Sequence, residues 1–469
     1  MRCVSHVVGL LSVLGAGIGA FGCSASSEAP APQQTPEAVS SELTLREFGS
    51  IARGAVAFLD RTPNGLGGNG RACADCHMPS GSFQLSPADA EARFQALQTR
   101  RATHPTADDP LFRPIDADDF RINGANATDY SNLRQNGLVR ITFPLPASMK
   151  LINPATGAPT PETFVDVWRA VPTVANVKLT GPDANPPAWP CAVGGPPVPC
   201  VPRGPNPNGG YQLDARAADL QAQALGAFFS HAQVQVAPSQ RMLDDLASFQ
   251  NVLFSSDGVR AASHAIDTGA TVPDPDPVLD ALEQQGKTVF ARSCAHCHGG
   301  AAGSKPIPAI ERFGSVQAAC PRPVDGPQFP GYAGTPRFAF AQCKPQLARN
   351  TRLYEVTLPN GTKTRRPSSD PGRTLLSGVF LGGGPKDDWQ ALDIPSTRGI
   401  SKTAPYFHNN SAATLEEMLD HYTEFFKFVN AAAPPFIPRP APISTDGIHV
   451  DRPFTPEERP ALLAYLRKL

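Results

Sequence analysis

The sequence predicts a mainly α chain made of two copies of one helical module, joined and interrupted by long irregular loops. Three observations carry that expectation: two Cys-x-x-Cys-His runs, an amphipathic helix before each with a second helix closing each segment, and a high content of proline and glycine. The chain has 469 residues, enough for two or three domains that each bury a core. Its 51 prolines and 40 glycines break regular elements, because proline lacks a backbone donor and glycine loses the most entropy on ordering. Lys plus Arg is 41 and Asp plus Glu is 42, so bulk charge gives no nucleic-acid footprint.

The elements follow in order. Arg2 precedes an apolar stretch from Val7 to Phe21, too short to span a membrane, which reads as an export signal over residues 1–22. Cys23 follows Ala20-Phe21-Gly22, similar to a lipobox, so either a lipid anchor at Cys23 or simple cleavage fits. Residues 23–42 then read as a flexible tether, and the expected location is the periplasm or cell envelope, including an outer-membrane lipoprotein. Leu45, Phe48, Ile51, Ala52, Ala55 and Phe58 recur at helical spacing ahead of Cys73, and Ser239 is placed to cap a closing helix Met242 to Phe254. The second copy repeats this, with Val278, Leu282, Val289 and Phe290 before Cys294 and a capping-box start at Thr455, Pro456 and Glu458 for the final helix. Residues 43–266 and 278–469 are thus the two expected domains, with 267–277 as linker.

The Cys-x-x-Cys-His runs carry the chemistry. Two cysteines three positions apart present both sulfurs to one edge of a macrocycle, and the next residue supplies an imidazole under its iron. Cys73, Cys76 and His77, and again Cys294, Cys297 and His298, are therefore expected to hold two covalent c-type haems, with His77 and His298 as iron ligands. The fold expectation becomes two cytochrome c-like haem domains with long irregular loops. A zinc ribbon is excluded because the two histidines lie 221 positions apart (298 minus 77). Of the other cysteines, Cys191 with Cys200 and Cys320 with Cys343 flank short loops that local disulfides would close.

Further motifs resemble one family. Thr403-Ala404-Pro405-Tyr406-Phe407-His408-Asn409, then Thr414-Leu415-Glu416-Glu417 and Tyr422, closely resemble the C-terminal signature of bacterial di-haem cytochrome c peroxidases and MauG. Pro172-Thr173 with Asn176, Asp214-Ala215-Arg216 and Gln223-Ala224-Leu225-Gly226 resemble elements of its first domain. The resemblance implies a peroxidase-like oxidoreductase of MauG type that reduces hydrogen peroxide at the N-terminal haem, drawing electrons from a cytochrome, a cupredoxin or a protein substrate. It also implies Tyr422 as an iron ligand of the second haem, where the peroxidases have methionine, with His421 as the neighbouring alternative.

The departures from the family are specific. Its distal glutamate falls on Gln233, leaving Gln223, His231 and Gln233 as candidates to act on peroxide, or His231 to close the iron. Its inter-haem tryptophan falls on Leu213, with Tyr211 the nearest aromatic. Thr403 and Pro405 match carbonyls that hold calcium, but the asparagine of that set is Ala170, so the calcium set is incomplete. An insertion at about 83–151 is turn-rich and is expected to shape a substrate or partner surface. Two other readings remain open: a dioxygenase like the rubber oxygenases, and a non-catalytic electron-transfer cytochrome.

Overall fold

A computed structural model of the chain describes residues 45–117, 121–122, 125–126, 129–181, 211–217, 219–303, 350–376, 392–430 and 454–469. The expected signal, the tether and the four loop cysteines lie outside the described residues. Among the described residues no helix is long and apolar enough to cross a membrane.

Each half is framed by two crossing helices. In the first half α1 (Leu45–Leu59) buries Ile51 and Phe58 against Leu243, Leu246 and Phe249 of α4 (Gln240–Gln250), which Ser239 caps as its sequence position anticipates. In the second half α6 (Ala281–Ser293) buries Val289 and Phe290 against Leu462, Tyr465 and Leu466 of α8 (Arg459–Lys468). Asp280 and Glu283 form the capping box that starts α6, so Val278 falls outside the helix and is 91% exposed. At the start of α8 the Glu458 carboxylate accepts from the Thr455 N–H, the half of the expected box that fixes the turn.

The two crossings are the same device. A Cβ on Gly54 would lie 1.9 Å from the Asp245 carbonyl oxygen, and one on Gly286 would lie 2.0 Å from that of Ala461. Only a residue without a side chain lets the backbones approach so closely. Four positions after each glycine, Phe58 packs on Phe249 at 5.3 Å between ring centroids and Phe290 packs on Tyr465 at 5.4 Å.

The expected insertion is ordered and partly β. Helix α2 (Pro87–Thr103) starts on a Ser86 cap, and strand β1 (Leu138–Pro144) pairs antiparallel with β3 (Phe164–Ala170) in the register Leu138↔Ala170. Between them β2 (Met149–Ile152) pairs with β4 (Arg352–Thr357), which pairs in turn with β5 (Lys363–Ser368). Strand β2 comes from the first half and the hairpin β4–β5 from the second. Val and Ile alternate with polar residues in β1 and β3, the period-2 pattern of a half-buried sheet. A core of Phe143, Leu151, Val167, Tyr354 and Leu375 joins the halves.

The expected mainly α class is therefore corrected to helix with some sheet, and the two halves of the helical duplication share a β seam. A buried ion network fastens it: Arg169, 1% exposed, binds Asp370 at 2.6 Å and also pairs with Asp214. The expected linker is anchored as well. Helix α5 (Asp257–Thr268) runs into it, and Asp276 accepts from Tyr465 Oη at 2.8 Å while pairing with Lys287 and Arg398.

Candidate haem site

The site forms where the two halves face one another. A cavity of about 540 Å³ is lined by Cys73, Cys76 and His77 from one half and by Cys294 and His298 from the other. Cys297 follows within the short helix Ala295–His298. Cys73 and Cys76 lie beside His77, and burial pushes their thiols up to about 11 and about 12.

Both histidines are oriented by one device used twice. His77 Nδ1 lies 3.0 Å from the Pro172 carbonyl and 3.2 Å from that of Phe83, and His298 Nδ1 lies 3.0 Å from the Pro395 carbonyl. A carbonyl can only accept, so Nδ1 carries the proton and Nε2 presents its lone pair. Burial holds both imidazoles below their ordinary range, to about 4 for His77, which keeps them neutral as iron ligands must be. The next residue repeats too. Thr173 Oγ1 donates to the Ser82 carbonyl and Ser396 Oγ to the Ala302 carbonyl, each at 2.6 Å, tying the proline turn to the chain just beyond each Cys-x-x-Cys-His run. Four positions past each proline, Asn176 and Gly399 adopt left-handed φ of 65° and 81° and donate to the Leu253 and Leu469 carbonyls behind the closing helices.

The distal walls begin as copies and then differ. Tyr211 bridges Ala217 and Tyr406 bridges Ala412, with matching left-handed residues at Gln212 and Phe407 and at Ala215 and Asn410. Three positions later each chain enters a helix, α3 (Leu220–Ser230) or α7 (Leu415–Asn430). The eighth residue of α7 is Tyr422, whose hydroxyl lies 3.3 Å from His298 Nε2. The eighth residue of α3 is Ala227, which lines the cavity and offers no donor. The other candidate, His421, also lines the cavity and packs on Phe407, and burial first, then the nearby His408, holds it down to about 3.

Of the residues expected to act on peroxide, Gln223 and His231 line the cavity. Gln233 does not; it sits at φ 52° on an exposed turn, where its side chain accepts from Asn69. Counting from the motif could not foresee that His231 ends α3 and the chain then turns outward. His231 Nδ1 lies 3.0 Å from Asp116, a residue of the insertion that no motif marked, and Asp116 also takes a 2.6 Å ion pair from Arg71.

Leu213 and Tyr211 both line the cavity between the two sites. The donor set does not fit calcium: Ala170 has no side-chain oxygen, and the Pro405 carbonyl accepts from Gln84 Nε2 at 3.1 Å. The set does fit haem, with two oriented imidazole Nε2 atoms, thiols beside one of them and largely aliphatic and aromatic walls.

No protein-family model and no curated protein matches the chain. Among solved structures it is similar to a MauG-like protein associated with microbial copper homeostasis, at 18% identity over 96% of this chain and 95% of that one, with a TM-score of 0.38. It is also similar to hydrazine synthase of Kuenenia stuttgartiensis, at 12% identity over 96% of this chain and 99% of that one, with a TM-score of 0.36. Likenesses this distant leave the function to be argued from the geometry of the site.

Proposed function

We propose that the chain is an exported di-haem c-type oxidoreductase of the peroxidase-like, MauG type, reducing hydrogen peroxide at the N-terminal haem. Cys73 and Cys76 anchor that haem with His77 as its ligand, and Cys294 and Cys297 anchor the second between His298 and Tyr422. The haem pair supplies the redox chemistry when bound, and the protein sets ligation, access and proton supply.

The observation that carries the reading is the mismatch within the duplicated wall, where Tyr422 stands on α7 and Ala227 on α3. A side without a donor leaves room for a small oxidant, and a side filled by tyrosinate, a hard anionic donor, favours an oxidised iron. Gln223 and His231 line the cavity, and in this reading they hydrogen-bond the oxygens of peroxide. Electrons come from a small redox protein or from a protein substrate, at the periplasmic or envelope location that the export signal implies.

The test is spectroscopy on protein made in a host competent for cytochrome maturation. Expected are a mass gain of two haems, one high-spin ferric haem that reacts with peroxide, and a Tyr422→Phe variant that changes the spectrum of the other haem alone. Two low-spin haems without peroxide turnover would leave an electron carrier. Oxygen uptake with an apolar substrate would establish the oxygenase instead.

A further inference from the structure

The first distal site contains a chain of buried Arg71, buried Asp116 and half-buried His231 that the peroxidase reading does not require, and its middle member comes from the insertion. Arg71 is 4% exposed and donates from Nη1 both to Asp116 at 2.6 Å and to the His231 carbonyl, while Nε and Nη2 donate to the carbonyls of Pro110 and Arg113. Asp116 is likewise 4% exposed, and its second oxygen faces His231 Nδ1 at 3.0 Å. A carboxylate paired with a buried guanidinium is an acceptor, so His231 Nδ1 is the donor, and in the neutral ring, which lines the cavity, Nε2 is the atom that holds the lone pair. The backbone is distorted to make this contact. Ile115 sits at φ 90°, a conformation that a β-branched residue adopts only where its surroundings impose it, and the Arg140 N–H fixes the Asp116 carbonyl at 2.8 Å. On the other side, Asn69 and Arg71 both donate to the His231 carbonyl, at 2.8 and 2.9 Å, so the ring is held from its main chain as well.

We propose that His231 is the proton-transfer residue of the first haem site and that Asp116, held by Arg71, is its positioning residue, fixing the tautomer that leaves Nε2 basic. The inference rests on the peroxidase-like reading. In the step, Nε2 would take the proton from one oxygen of H2O2 and give it to the other as the O–O bond breaks, so that one water leaves. The bound haem pair would supply the two electrons for that cleavage. The donor protein then returns two electrons and solvent supplies two protons, so that H2O2, two electrons and two protons become two waters. Among the described residues, besides Asp116 and Arg71, the titratable group facing His231 is His77; Arg113, which meets Arg71 through its carbonyl, uses its own guanidinium on Asp108. The arrangement explains how a chain with glutamine at the family's glutamate position keeps an acid and base, and why the insertion packs against the first site.

The experiment uses full-length, haem-loaded protein with His231→Ala, His231→Gln and Asp116→Asn. Stopped-flow absorption follows the reaction with peroxide, and optical titration follows cyanide association, in which HCN must give up its proton on binding. His231→Ala and His231→Gln are expected to slow the peroxide step by about 10²-fold or more and to abolish its pH dependence, with the resting spectrum unchanged. Asp116→Asn should show a smaller loss in the same direction, because an amide no longer selects the tautomer. Cyanide association should slow in all three. If the wild type ignores peroxide yet these variants slow cyanide association, the peroxidase reading fails and the relay stands. Unchanged cyanide kinetics and an unchanged pH profile in His231→Ala would overturn the relay, as would a first haem that turns from low-spin to high-spin, which would make His231 a ligand. His231→Ala leaves the Arg71 and Asp116 pair intact, so the test survives if Asp116→Asn fails to fold.

Discussion

The two halves use one scaffold for two different sites. Each has a glycine-mediated helix crossing, a Cys-x-x-Cys-His run, a proline carbonyl on the histidine 95 or 97 positions later and a tyrosine-to-alanine bridge before the distal helix. What differs is set by a few positions on that scaffold: tyrosine or alanine at the eighth residue of the distal helix, and an Asp116 delivered to one side only. Duplication therefore repeats the oriented histidine, while single substitutions on the far wall make the two sites differ. The long stretches between each histidine and its proline also pair with each other, through β2 and the β4–β5 hairpin, so the halves cannot be separated at the expected linker without breaking a sheet.

The largest expected effect breaks the seam between the halves. Arg169→Met leaves Asp370 and Asp214 buried without their shared cation and should cost about 3–5 kcal/mol in urea unfolding. Adding Asp370→Asn should recover part of it; full stability of the single variant would mean the network does not hold the halves together.

Acid should act on the second half through His408, which is 6% exposed and held down to about 4, by burial against the opposing pull of Asp370 and with Arg169 adding to the depression. The unfolded chain takes up that proton near pH 6.5 and the fold does not, so stability is complete above about 6.5 and falls on acidification to about pH 4, by about 3 kcal/mol. Asp214, held down to about 2 despite burial by Arg216 and Arg169, works in a separate window, losing its contribution only below about pH 4. Urea melts at several pH values in His408→Gln should shrink the first limb by the share of His408, with the buried His421 and His77 keeping the rest, and leave the second. An unchanged first limb would assign it elsewhere.

The smallest effect tests the equivalence of the halves. Gly54→Ala and Gly286→Ala should each cost about 1–3 kcal/mol, because either Cβ forces the crossing helices apart. Similar losses of thermal stability support one shared device, whereas a loss in one alone would show that the crossings are not equivalent.

Much of the scaffold is legible in the sequence. Helical spacing before each Cys-x-x-Cys-His run, the Ser239 cap and the Thr455 to Glu458 turn are local signals, set by side chains within a few positions of each other. The β seam escaped because its joining pair, β2 and β4, lies about two hundred residues apart, and composition alone made the insertion look irregular. The distal candidates divide on the same ground. Gln223 and His231 reach the cavity because α3 carries them there, but Gln233 follows the helix end, where a left-handed turn sends it outward.

By itself the sequence determined the two Cys-x-x-Cys-His runs, their duplication and the residue types available around each, since these depend on covalent spacing and local helix geometry. Only the tertiary structure decided that proline carbonyls orient both imidazoles, that Ala227 stands where the other half has Tyr422, and that Asp116 meets His231. Those contacts join residues far apart in the chain, and long-range packing is the only force that brings them within hydrogen-bonding distance.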